Sequence, residues 1–223
     1  FGGLLVLPLF YAALVGAAFA LARQLVSDSW AVVAALAVAA IPAVTDYARL
    51  FHFALPATAC LTAALWALIR SHGFERRRWA VAFGLFVAFM LLARTMTVAY
   101  TPGLALAVGT QFLVGTADFR TRLRNVTLAA ATALVVAGPW YIRNASSVYD
   151  VLVGSGYGEG AVPFGRHYPV ASWGFWTKEL RLDLSYMGLP LAGVLFLCFG
   201  LALAYLLARH KRLSRPHLPL TVR

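Results

Sequence analysis

The sequence predicts an all-α protein, a polytopic bundle of transmembrane helices with about seven spans and one exoplasmic loop that carries an interfacial helix. Of its 223 residues 61% are hydrophobic and only 12% are charged, more apolar surface than one soluble core of this length buries. The apolar residues form seven runs, several near the ~20 residues that a membrane span requires. The basic residues cluster between those runs. Despite a net charge of +11, this spacing is typical of membrane topology and not of a nucleic-acid-binding face.

The runs divide the chain into three regions. Pro42 and Pro102, with polar patches at 45–49 and 94–97, separate runs that would otherwise form overlong helices. We therefore expect a transmembrane region at 1–142, an exoplasmic loop at 143–187, and a last span with a basic tail at 188–223. The predicted runs are roughly 4–22, 30–45, 50–69, 79–93, 97–115, 126–142 and 188–208.

The distribution of charge predicts the orientation. If the spans alternate, one side carries 23–29, 70–78, 116–125 and 209–223, which together hold 13 of the 19 Lys and Arg residues. By the positive-inside rule that side is cytoplasmic. The turns near 46–49 and 94–96 and the loop 143–187 then face the exoplasm. We expect a multi-pass protein of a bacterial inner (plasma) membrane.

The end of the sixth run and the loop after it have a distinctive composition. The octet 137–144, Ala-Gly-Pro-Trp-Tyr-Ile-Arg-Asn, is typical of a span that meets the interface, where Trp and Tyr lie at headgroup level and Arg reaches lipid phosphates. A glycine-rich stretch at 154–160 could close over a ligand or simply be a plain loop. Residues 172–187 repeat apolar side chains at three- and four-residue spacing, which predicts a helix lying on the outer interface.

Three arginines stand at predicted outer ends of spans, namely Arg49, Arg94 and Arg143. A guanidinium binds phosphate in a bidentate fork, so these residues could hold the phosphate of a lipid-linked donor. They could also be ordinary interfacial anchors. Arg94 is the strongest of the three because it interrupts an apolar stretch, where a charge is costly.

Other polar and aromatic residues share this side. Asp46 is a candidate base, although pairing with a neighbouring arginine is the favoured role. The further residues expected to contact substrate are His52, Tyr141, Tyr157 and Glu159. No metal is expected, since the five histidines lack metal-binding spacing, and no cofactor is expected. Cys60 and Cys198 lie inside apolar runs, so a disulfide is not expected.

Several segments together resemble the multi-span glycosyltransferases of the GT-C type that use polyprenyl-phosphate sugars. This group includes the dolichyl-phosphate-mannose protein mannosyltransferases and the aminoarabinose lipid A transferases. The matching pieces are 49–56 (Arg-Leu-Phe-His-Phe-Ala-Leu-Pro), the run from Gly84 to Leu92 followed by Arg94 and Pro102, and 138–144. Arg94 stands where these enzymes often have Lys, which keeps the charge and changes its geometry.

The resemblance implies an integral-membrane enzyme that moves a sugar from a polyprenyl-phosphate donor to a protein or glycolipid acceptor on the exoplasmic face. Arg94, with Arg49 or Arg143, would hold the donor phosphate. The catalytic carboxylate of such enzymes lies in an acidic pair in the first outer loop, and this chain shows no such pair. The chain is therefore expected to be an internal fragment, with its catalytic residue upstream of Phe1.

Two other readings remain open from the sequence. A transporter or flippase of lipid-linked or anionic solutes would also need outer arginines, but it predicts polar residues at mid-span and discontinuous helices. A structural membrane subunit would use the arginines only as anchors. The mostly Ala, Val, Leu, Phe and Gly mid-span positions disfavour the first, and the large outer loop disfavours the second.

Overall fold

The computed structural model describes residues 2–50, 52–155 and 172–187, together with Gly193 and residues 196–197, and every regular element in these ranges is helical. A 3₁₀ helix, Thr95–Tyr100, precedes α6, and a π-helical turn, Asp150–Ser155, follows α8. The α-helices are α1 (Gly2–Ala22), α2 (Asp28–Ala39), α3 (Pro42–Arg49), α4 (Ala54–Arg70), α5 (Arg77–Ala93), α6 (Thr101–Val114), α7 (Phe119–Arg143), α8 (Ala145–Tyr149) and α9 (Trp173–Met187).

Helices α1, α4, α5 and α7 pack side by side in that order and form the centre of the bundle. The shorter α2 lies against α1, where the Tyr11 hydroxyl donates to the Ala39 carbonyl at 3.0 Å. Helix α3 packs between the first turns of α1 and α4 through Val44 and Tyr47. At one end of the bundle, the start of α4 therefore lies next to α3, and the end of α5 lies next to the end of α7.

The contact between α5 and α7 depends on small residues. Gly84 faces the backbone of Ala129 so closely that a Cβ at Gly84 would lie 2.2 Å from the Ala129 carbonyl oxygen. Ala64, Ala67 and Ala80 are fully buried in the same core. Small side chains let membrane helices approach closely, where packing rather than hydrophobic transfer holds them together.

The turn between α4 and α5 is tied to distant residues. His72, Gly73 and Phe74 all have left-handed backbones, with φ of 50°, 68° and 67°, a costly conformation for the two that carry a Cβ. The Ser71 hydroxyl accepts from the Phe74 N–H at 3.1 Å, and the buried Asn125 amide donates to the Phe74 carbonyl at 2.7 Å. These bonds satisfy the buried backbone and hold the turn in place.

The predicted interruptions are confirmed. Pro42 stands in the first turn of α3, and the axes of α2 and α3 differ by 60°. Arg94 is extended, with φ −157° and ψ 121°, and separates α5 from the 3₁₀ helix. Pro102 lies in the first turn of α6, where it needs no N–H partner.

Seven spans are not confirmed by helix length. In the described part of the chain only α7 is long and apolar enough to cross a membrane, and α2 with α3 adds a second if that bent pair is one span. Residues 6–22 and α4 are apolar but shorter. The breaks at Ala40–Ile41 and at Arg94 divide the apolar runs into helices of 12, 17 and 14 residues. The seventh run, at 188–208, lies almost entirely outside the described residues.

Three boundaries differ from the sequence prediction. Residues 46–49, expected as a turn, form the last turn of α3. Helix α7 begins at Phe119 rather than near 126, because Asp118 caps it by accepting from the Arg120 and Thr121 amides at 3.0 and 3.3 Å. The loop expected from 143 opens as helix α8. The helix predicted at 172–187 is confirmed as α9.

Candidate functional site

The first turn of α4, the ends of α5 and α7, and helix α3 meet at one end of the bundle, here named the outer end (residues 42–55, 91–100 and 140–155). The Tyr141 hydroxyl of α7 donates to the Leu91 carbonyl of α5 at 2.9 Å. The Arg94 guanidinium carbon lies 5.1 Å from the centre of the Phe53 ring. These two contacts place the ends of three helices at the same level.

An aromatic stack lines this end. The Tyr47 and His52 rings stack at 4.4 Å between centroids with an 11° interplanar angle, and the His52 and Phe53 rings stack at 4.4 Å and 28°. The His52 Nδ1 accepts from the Ala54 amide at 3.1 Å, so the proton of the neutral ring is carried on Nε2. The stack holds His52 and turns its remaining donor away from the start of α4.

Arg94 continues the stack as a half-buried cation. It has no carboxylate partner among the described residues, and the face of Phe53 supplies the attraction that a carboxylate would otherwise give. The Thr97 hydroxyl donates to the Arg94 carbonyl at 2.6 Å and to the Met90 carbonyl at 3.1 Å. These bonds fix the backbone on which the guanidinium is carried and leave its N–H groups available to an anion.

Arg49 and Arg143 lie at the same end but differ from Arg94. Each is the last residue of its helix, α3 or α7, and each is exposed. A cation is favourable at a helix C-terminus. Arg49 is two residues from Tyr47 of the stack, and Arg143 is two residues from the anchored Tyr141. The structure brings the three arginines to one end without direct contact between their side chains.

The roles predicted for the acidic and loop residues have less support from the structure. Asp46 is exposed on α3 and makes no ion pair within the described ranges, so the expected pairing with a neighbouring arginine is not seen. Tyr157 and Glu159 lie outside the described residues. In the part of the chain that the structure describes, no three His, Cys, Asp or Glu side chains converge as metal ligands would.

Parts of the long loop lie against the outer end. The π-helical turn contacts the 3₁₀ helix after Arg94, and α9 contacts α3. Phe175 is buried, whereas Trp173 of the predicted apolar stripe is 82% exposed and Trp176 57% exposed. The exposed Trp face is what a helix at a lipid interface presents.

The sequence prediction missed three residues of this site, Phe53, Thr97 and Phe175. Phe53 adjoins His52, and Thr97 falls in the polar patch that marks the break, so both had a local signal. The contact of Phe53 with Arg94, however, is set by the packing of α4 against α5, which no local pattern specifies.

A comparison with protein-family models identifies the family. The model described as dolichyl-phosphate-mannose-protein mannosyltransferase matches residues 1–142. This chain belongs to that family of GT-C glycosyltransferases. The match confirms the resemblance found in the sequence. Within this mannosyltransferase family match lie Arg49, His52, Arg94 and Tyr141, whereas Arg143 and the loop after it lie beyond it. Comparisons with curated proteins and with solved structures found no match.

Proposed function

We propose that this protein is a multi-pass enzyme of the bacterial plasma membrane that transfers a sugar from a polyprenyl-phosphate donor to a protein or glycolipid acceptor on the exoplasmic face. The single observation that carries the proposal is Arg94. It is a half-buried guanidinium at the outer end that rests on Phe53 and lacks a carboxylate partner in the described chain. The family match supports the reaction class.

The reaction exchanges one bond at the anomeric carbon. The bond from that carbon to the phosphate oxygen breaks, and a bond to the acceptor hydroxyl oxygen forms. A general base takes the hydroxyl proton, and the polyprenyl phosphate leaves with the bonding electron pair. The negative charge that grows on the phosphate is what the enzyme must stabilise. Neither a nucleotide nor a metal is required, because the lipid phosphate is itself the leaving group.

Arg94 is suited to that task by its surroundings. Partial burial weakens the competition from water, so its N–H groups bind a phosphate more strongly than exposed ones would. The Phe53 ring and the Thr97 bonds hold it before the donor arrives, which reduces reorganisation in the transition state. Arg49 and Arg143, both exposed at the same end, extend the positive field toward the outer-leaflet headgroups.

The decisive experiment compares Arg94→Ala with the matched control Arg76→Ala in the full-length enzyme. Arg76 is exposed at the opposite end of α5, so both changes remove one arginine from the same hairpin. Loss of a preorganised donor to a developing charge costs about 100- to 1,000-fold in rate. We expect Arg94→Ala to lower transfer by that factor and Arg76→Ala to leave it within about twofold. Both variants should insert and accumulate normally.

Full transfer by Arg94→Ala would contradict the role of this residue. A defect of equal size in Arg76→Ala would indicate a general loss of folding or of topology. Arg94→Lys separates charge from geometry: it should retain part of the activity, because an ammonium still attracts phosphate but cannot form the bidentate fork.

A transporter or flippase is the second candidate, and the 60° break between α2 and α3 favours it, since discontinuous helices are common at transport sites. Uptake or flipping of a fluorescent polyprenyl-phosphate probe in reconstituted vesicles tests it. Movement of the probe across the bilayer without sugar transfer would favour transport. Transfer to an acceptor without such movement would favour the enzyme.

A further inference from the structure

A groove of about 580 Å³ opens at the end of the bundle opposite Arg94, named here the basic end (residues 70–78 and 115–124). Its lining combines three arginines with an apolar floor: Arg77 at the start of α5, then Arg120, Leu123, Arg124, Thr127, Leu128 and Ala131 along α7. A groove of this volume is in the range that holds a small molecule or part of a lipid.

The lining residues of α7 follow one face of the helix. Arg120 and Arg124 are four residues apart, and Leu128 continues the same spacing. From Arg120 to Ala131 the helix rises about 16 Å, close to half of the ~30 Å hydrocarbon core of a bilayer. The groove therefore carries its positive charge at one end, and its apolar side chains extend over about 12 Å from Leu123 to Ala131.

The three groove arginines have no acidic partner within the described chain. The Glu75 carboxylate accepts from the Thr116 amide at 2.8 Å, the Thr116 hydroxyl at 2.9 Å and the Ala117 amide at 2.9 Å. Asp118 caps α7 through its carboxylate. The two carboxylates nearest the groove in sequence are therefore engaged by backbone amides.

Three other arginines of the basic end contact protein groups, and the fourth, Arg76, is exposed without such a contact in the described residues. Arg122 donates to the Phe112 carbonyl and lies 4.9 Å from the Phe112 ring. Arg70 and Arg78 lie 5.1 and 5.9 Å from the Trp79 ring. Arg77, Arg120 and Arg124 have no such contact in the described residues and share one groove. These three arginines without a protein contact therefore lie together, at the point where the apolar floor of the groove begins.

We propose that this groove binds an anionic phospholipid of the cytoplasmic leaflet, with its phosphate against Arg77, Arg120 and Arg124 and one acyl chain along Leu123, Leu128 and Ala131. Charge complementarity selects the anionic headgroup, since basic pockets between spanning helices on this side hold such lipids. The apolar floor selects a lipid over a free phosphate. The site lies at the opposite end of the bundle from the donor phosphate and belongs to a different leaflet.

Native mass spectrometry of the full-length protein in detergent tests the proposal. The probes are phosphatidylglycerol, phosphatidylcholine and free glycerol phosphate. Each arginine that contacts the lipid phosphate adds about fivefold to anionic-lipid affinity, at about 1 kcal/mol per basic residue. We expect Arg77→Gln/Arg120→Gln/Arg124→Gln to weaken phosphatidylglycerol binding on the order of 100-fold. The control Arg23→Gln/Arg76→Gln/Arg78→Gln removes the same charge outside the groove and should weaken binding less than about fivefold.

A second variant keeps every charge. Thr127→Phe fills the groove beside Leu128, and we expect it to weaken phosphatidylglycerol binding by about tenfold, the scale of a few displaced methylene contacts. Equal losses in the two triple variants would overturn the proposal in favour of diffuse positive charge. Equal binding of phosphatidylcholine, or of glycerol phosphate alone, would also overturn it. None of the three probes is a sugar donor, so the result is independent of sugar transfer.

Discussion

At the scale of single residues, the three outer arginines are graded by their surroundings. Arg94 is half-buried and held by Phe53 and Thr97, whereas Arg49 and Arg143 end their helices in the open. An exposed cation is screened by water and salt, and it contributes little to any one contact. The function proposed for Arg94 should therefore depend on geometry, and that of the other two on charge alone.

Arg49→Ala and Arg143→Ala should each raise the KM for the lipid-linked donor by about two- to fivefold and leave kcat nearly unchanged. The reason is that an exposed ion pair is worth about 0.2–1 kcal/mol and should act alike on the bound donor and the transition state. Steady-state kinetics at two salt concentrations measures this. A fall in kcat as large as that of Arg94→Ala would place either residue at the reacting phosphate instead.

The sequence indicated Arg94 because a charge in an apolar stretch is costly. The structure has a helix break at this residue, as predicted. It could not show that the Phe53 ring faces the guanidinium, because the two residues are brought together by the packing of α4 on α5. Nor could it show that Asp46 would remain unpaired, since adjacency in a helix does not make two side chains meet. A sequence shows where a charge in an apolar stretch costs free energy, but it does not show which residues of other helices will contact that charge.

At the scale of elements, Glu75 joins the α4–α5 turn to the segment between α6 and α7. The bonds from the Thr116 amide and hydroxyl and from the Ala117 amide hold the pKa of Glu75 below its ordinary value of 4.5. The ionised form is therefore favoured by the fold. Its contribution to stability is complete above pH 4.5 and is lost as the pH falls through the lower pKa of the folded state.

Glu75→Gln should lower the Tm at pH 7, because a neutral amide accepts these bonds more weakly than a carboxylate does. The difference in Tm from the parent protein should narrow as the pH falls below 4.5 and through the lower pKa of the folded state. Thermal unfolding in detergent across pH 3–7 measures it, with Glu179→Gln on α9 as a control for a lost carboxylate. A difference that does not narrow at all on acidification would show that shape, not charge, makes the contribution.

The sequence predicts which helices form better than it predicts where each helix begins and ends. Proline and polar patches predicted the breaks before α3 and α6, since they remove backbone bonds locally. The charge pattern places Arg120, Arg122 and Arg124 in a loop and so misses the early start of α7, although arginine is a good helix former and Asp118 supplies the cap. The 60° angle after α2 depends on α1 and α4, against which α3 packs.

At the scale of the whole molecule, the arginines are distributed between the two ends of the bundle as the alternating direction of the helices predicts. The outer end carries Arg94 and the aromatic stack, and the basic end carries the arginine clusters of 70–78 and 120–124. Alternating helices bring these residues to opposite ends, as the positive-inside rule requires of a membrane bundle. The short helices of this bundle are consistent with spans that rely on their neighbours and on local thinning of the bilayer.

Single cysteines should report this arrangement. In a background with Cys60→Ala and Cys198→Ala, Ser146→Cys in α8 should react with an impermeant maleimide added to intact cells. Ser27→Cys, at the start of α2, should react only after permeabilisation. Both positions are exposed in the structure, so the difference depends on sidedness alone. Labelling of both from outside would overturn the proposed orientation.

The left-handed turn at 72–74 has a consequence for the timing of synthesis. Its distant partners come later in the chain: the Thr116 and Ala117 amides bind Glu75 next to the turn, and the Asn125 side chain binds Phe74, at separations of 41 to 51 residues. At the ~5–20 residues per second of translation, the ribosome needs roughly two to ten seconds to supply them. Helix α5 is synthesised in the first part of that interval, and until the interval ends the turn lacks these distant partners, which help to offset its backbone cost. The turn therefore gains its last partners only when the start of α7 has been synthesised.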